Sequence, residues 1–167
     1  MATDDGRVWS DLAGLDQAAR ERGMHEHLIS VLALEEAPRL EALRDMITAE
    51  YALDDAALRP FTISRLRTWV AIAQEDVERA RLLARGYDTV FDALGAEMAM
   101  RRARIVQTVA KSDLAPDEVT ALFELIPSLV RHVPRSAGSD FTRPAAAAAG
   151  AGGAPWWKFW QRSPAAN

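Results

Sequence analysis

The chain has 167 residues, 49% of them apolar, a net charge of −4 and no cysteine, which suits one domain with spare length for tails. Without cysteine there are no disulfides and no thiolate metal sites. No run approaches the roughly 18 uninterrupted apolar residues of a transmembrane helix.

Residues 1–10 carry Asp4 and Asp5 and no apolar run, unlike a secretory signal, so the expected location is the cytoplasm. Alanine supplies 32 residues, which favours helices and a core with few aromatics. The charge is unevenly spread: net −8 over residues 1–58, +4 over 59–112, −3 over 113–134 and +3 over 135–167. Such asymmetry lets parts of the surface attract one another or steer a partner.

In chain order, Trp9, Leu12, Leu15 and Ala19 predict a short first helix, with Ser10 as its N-cap and Gly23 as its stop. Met24, Leu28, Val31, Leu32 and Leu34 predict a second helix that ends before Pro38. Pro38 suits the first position of a third, which carries Leu40, Leu43, Ile47 and Tyr51 inward and Glu41, Arg44, Asp45 and Glu50 outward. Asp54 and Asp55 begin a short acidic turn or helix through Leu58.

The longest pattern runs from Pro60 to Gly86, where Ile63, Leu66, Val70, Ala73, Val77, Ala80 and Ala84 recur at alternating spacings of 3 and 4. It predicts one amphipathic helix, opened by Pro60, capped by Thr62 or Ser64 and closed by Gly86. A few residues on, Asp88 suits the cap of an antiparallel partner. The partner's stripe is Phe91, Leu94, Met98, Ile105 and Val109, with Arg102 where an apolar residue belongs, and it ends at Lys111, Ser112 and Asp113. Pro116, Asp117 and Glu118 mark another helix start, followed by Val119, Leu122, Phe123 and Ile126. Pro127 interrupts that face, and Leu129, Val130 and Val133 extend it to Pro134.

No period-2 run and no internal repeat occurs. The expected fold class is all-α, a compact bundle of roughly five to six helices around a long central antiparallel αα-hairpin, with a disordered C-terminal tail. Residues 1–7 read as a flexible N-terminus, 8–134 as the bundle, 135–155 as an Ala/Gly/Pro-rich linker and 156–167 as a Trp-rich tail.

Chemistry-bearing patterns are sparse. His25 and His27 diverge on a helix, and the third histidine, His132, stands alone, so no metal or other cofactor is expected. No nucleophile elbow and no phosphate loop is present, so no enzymatic activity is expected. Arg101, Arg102 and Arg104 offer an anion or acidic-partner patch. Residues 49–68 can be laid on a helix-turn-helix, with Thr62, Ser64, Arg65 and Arg67 reading DNA, and this is the alternative function.

The sharpest lead is at the far end. Trp156, Trp157, Phe159 and Trp160, with Lys158 and Arg162, fall within seven residues after the linker. Tryptophan beside basic residues is what protein hot spots and membrane interfaces use. The expected function is a non-enzymatic adaptor whose tail docks on a protein partner or, peripherally, on a membrane surface.

Overall fold

Carboxylates write the helix boundaries of this chain. Asp16 accepts the Ala19 amide at 2.9 Å, Asp54 accepts that of Ala57 at 2.8 Å, and Asp76 accepts those of Glu78 and Arg79 at 3.0 and 3.1 Å. Each satisfies donors that a helix N-terminus leaves open. Glu118 reaches back to the Ala115 amide at 2.8 Å, half of a capping box. The structure, a computed structural model, describes residues 4–125. Over these residues seven α-helices follow one another: α1 (Asp5–Asp11), α2 (Gln17–Leu32), α3 (Glu36–Ala52), α4 (Asp55–Glu75), α5 (Val77–Ala93), α6 (Ala96–Ser112) and α7 (Pro116–Leu125). A 3₁₀ turn, Leu12–Gly14, separates the first two, and no strand occurs among the described residues.

The all-α bundle is as expected, but several of its joints are elsewhere. Ser10 lies inside α1, its hydroxyl donating to the Arg7 carbonyl at 3.1 Å, so it is not a cap. Gly23 is inside α2 and Gly86 inside α5, and both serve close approach instead of termination. A Cβ on Gly86 would come within 2.6 Å of Leu43 Cδ1, which brings α5 tightly against α3. Asp88 is likewise interior to α5. Pro38 is the third residue of α3, where its missing N–H has no intrahelical acceptor to lose.

The long Pro60–Gly86 helix is two helices. The chain breaks at Asp76, a single extended residue with φ −154° and ψ 100°. Trp69 and Tyr87 then meet edge to face at 4.6 Å between ring centroids, so α4 and α5 fold back on each other. The central αα-hairpin therefore turns at Asp76, not after Gly86. The break also shifts the helical phase, which leaves Val77 42% exposed although it continues the predicted stripe.

Asp54 and Asp55 begin α4 itself, so Pro60 stands in a helix interior with its N–H missing opposite the Ala56 carbonyl. Pro60→Ala restores that bond and is expected to stabilise the bundle by about 1–3 kcal/mol, less what the freer unfolded chain takes back. Thermal melting reads it; an unchanged or lower midpoint would show that the local backbone is shaped to proline.

The centre of the bundle is α4, which packs against α2, α5, α6 and α7. It is buried nearly all round: Leu58, Phe61, Leu66, Trp69 and Ile72 on some faces, Thr62, Ser64, Arg65 and Thr68 on others. Fully burying each large apolar side chain contributes roughly 1.5–3 kcal/mol. On the facing helix α3, Leu43, Met46 and Ile47 are buried, and so is Glu50, against the outward position its charge predicts.

Candidate functional site

Glu50 and Arg65 form the most unusual arrangement in the bundle. Arg65 Nε donates to Glu50 Oε1 at 2.9 Å, and both side chains are closed to water, at 2% and 0% exposure. Trp9 Nε1 donates to the second carboxylate oxygen over a longer 3.4 Å. The Arg65 guanidinium lies over the rings of Trp69 and Tyr87, at 5.5 and 5.7 Å from their centroids. Burial works against this charged guanidinium, but Glu50, Tyr51 and Tyr87 together more than offset it, and its pKa stays above the ordinary arginine value. Burial pushes the phenols of Tyr51 and Tyr87 up, so both remain neutral. A pair this enclosed joins α3 to α4. It meets no solvent-borne ligand.

Arg101, Arg102 and Arg104 do not form one patch. Arg101 donates to the Tyr51 carbonyl, to that of Leu53 at 2.7 Å and to Asp55 at 3.0 Å. It thus caps the C-terminal end of α3, where carbonyls and the helix dipole favour a cation. Arg102 points inward, its guanidinium 4.2 Å from the centroid of the Phe91 ring. Burial lowers its pKa from the ordinary value, with the nearby Arg65 charge acting the same way and Asp88 opposing it. Arg104 faces solvent, and Arg101 is partly exposed.

The DNA-reading set is also dispersed. Thr62, Ser64 and Arg65 are buried, and a side chain inside the bundle cannot reach a base edge. Arg67 is partly exposed but pairs with Glu118 at 3.2 Å and donates to the Asp113 carbonyl at 3.3 Å, tying α7 to α4. The turn between α3 and α4 falls at Leu53 and Asp54, not around Pro60. Trp156, Trp157, Lys158, Phe159, Trp160 and Arg162 lie outside the described residues.

An accessible groove of about 500 Å³ runs along α4, the start of α5, and α7. Val70, Ala73, Val77, Ala121 and Leu125 make its apolar lining. Asp117 and Glu124 stand exposed on its α7 side, while Glu118 is matched by Arg67. This groove carries no signal in the sequence, because it arises only where the break at Asp76 exposes Val77 next to α7.

Two histidines tie helices together. His25 meets Glu75 at 3.0 Å, linking α2 to the end of α4. His27 stands 3.6 Å from Asp5 and packs on Trp9, with ring centroids 5.9 Å apart. Burial holds the His27 pKa below 6.5, against the pull of Asp5. The unfolded chain therefore takes up that proton first, and stability is lost as pH falls through the unfolded value near 6.5. The melting midpoint is expected to drop between about pH 7 and pH 5, and His27→Gln to flatten the drop. A wild-type midpoint constant across that window would show the ring to be solvated. Among the described residues no group of three or more His, Cys, Asp or Glu is placed to hold a metal ion, and no helix is long and apolar enough to cross a membrane.

Compared with known proteins, the chain matches no family model, no curated protein and no solved structure.

Proposed function

We propose that this chain is a non-enzymatic interaction protein of the cytoplasm, a helical bundle that carries a Trp-rich C-terminal segment as its docking element. The observation behind this reading is how the five tryptophans are shared out. Trp9 and Trp69 are core residues of the bundle, at 0% and 1% exposure. The other three fall within residues 156–160, beyond an Ala/Gly/Pro-rich stretch with no apolar periodicity. Tryptophan is the commonest hot-spot residue of protein interfaces, and a protein partner is the target proposed.

The test is a co-purification with full-length protein as bait. Replacing Trp156, Trp157 and Trp160 together by Ala is expected to abolish capture of partner at every salt concentration, because the indoles supply buried area. Replacing Lys158 and Arg162 by Gln is expected to weaken capture severalfold, mainly at low salt. Flotation with anionic vesicles reads the other target. Binding there that depends on the same tryptophans would make the partner a membrane surface. A triple-Ala protein that behaves like wild type in both assays would overturn the reading.

A further inference from the structure

We propose that the groove along α4, α5 and α7 receives the Trp-rich segment of a second copy of this chain. The inference rests on the docking role proposed for that segment and names its partner.

The two surfaces are complementary in kind. The groove has an apolar lining of Val70, Ala73, Val77, Ala121 and Leu125, with Val77 42% exposed. An apolar residue this open at a helix start has no role in the core. Beside it stand Asp117 and Glu124, which face solvent, whereas Glu118 is already matched by Arg67. The groove thus offers apolar surface under two negative charges. Residues 156–162 read Trp-Trp-Lys-Phe-Trp-Gln-Arg, four aromatic rings with two positive charges. Charge and apolar character match on both sides. Size agrees as well: about 500 Å³ falls within the roughly 300–1,000 Å³ of pockets that hold small ligands. That is room for one or two indoles, not for a docked helix.

The wider charge distribution favours the same partner. Residues 113–134 carry a net −3 and residues 135–167 a net +3. The basic stretch of one copy and the acidic stretch of another therefore attract, which raises the rate of encounter more than the final affinity. Because the groove and the segment are different surfaces, the contact is heterologous, head to tail.

Sedimentation velocity of full-length protein over a wide concentration range tests the proposal. Wild type is expected to rise in average mass with concentration, and added salt to reduce the rise. Trp156, Trp157 and Trp160 replaced by Ala abolishes it. Asp117→Asn with Glu124→Lys, both at exposed positions, weakens it about tenfold or more. The two variants mixed together are expected to recover association, since one keeps the segment and the other keeps the groove. That recovery also rules out misfolding as the cause of either loss. A wild-type protein that is monomeric at every concentration overturns the proposal, as does a groove variant that associates like wild type. If the tryptophans still govern capture of another protein in the co-purification, the docking role stands and only the identity of the partner falls.

Discussion

Glu50→Ala is expected to cost about 3–5 kcal/mol, because it leaves the Arg65 charge enclosed with no counter-ion. Arg65 is 1% exposed, its Nε donates to Glu50 at 2.9 Å, and no water-facing path is open to its guanidinium. Domains of this size are stable by only about 5–15 kcal/mol, so the loss takes a large share of the whole. The reciprocal change is expected to behave differently. Replacing Glu50 by Leu and Arg65 by Met together removes both charges at once and keeps most of the volume. It is expected to return stability to within about 2 kcal/mol of wild type, or above it. Urea denaturation of the three proteins measures this. A Glu50→Ala cost of about 1 kcal/mol or less would be the value of a surface ion pair, and would show that water reaches the pair.

That pair also shows where sequence reading succeeds and where it stops. The helical class is legible because apolar residues recur at 3 and 4 along most of the chain. The start of α7 is legible in Pro116, Asp117 and Glu118, and the end of α6 in Lys111 to Asp113, because caps are local chemistry. Burial of a charge is not local. An amphipathic reading sends every polar residue to water, and it fails on a helix that is surrounded. In α4 it misassigns Thr62, Ser64 and Arg65, and in α3 it misassigns Glu50.

A trace was nevertheless there. Glu50 lies three, four and seven residues after Ile47, Met46 and Leu43, in the middle of their stripe. Arg65 lies four residues after Phe61 and four before Trp69. Two opposite charges, each centred on an apolar face of its own helix, are the mark of a buried pair. Glycine is harder. Gly86 could end a helix or admit a neighbour, and only the approach of Leu43 decides between them. The break at Asp76 is the same problem in reverse, since a continuous 3–4 pattern runs straight through it. The groove follows from that break, so it was beyond reach of the sequence for the same reason.

Trp9→Ala is expected to cost about 3–5 kcal/mol and to release α1 from the bundle. With seven residues, α1 is far too short to hold itself together in water and depends on its docking against α3. Trp9 is its buried residue. The indole stands edge to face with Phe61 at 5.5 Å, lies beside His27 at 5.9 Å, and donates to Glu50. Truncation therefore removes the packing of one helix and one donor of the buried pair together. Trp9→Phe separates these effects. It keeps an aromatic ring against Phe61 and loses an N–H whose 3.4 Å contact is long for a hydrogen bond, so it is expected to cost only about 1–2 kcal/mol. Hydrogen exchange locates the damage: in Trp9→Ala the α1 amides exchange as in an open chain, while those of α4 keep protection down to the lowered global stability. The acid sensitivity assigned to His27 is expected to fade in the same variant, because burial beneath α1 is what depresses its pKa. Protected α1 amides in Trp9→Ala, or an undiminished acid response, would mean that α1 is held by contacts other than this indole.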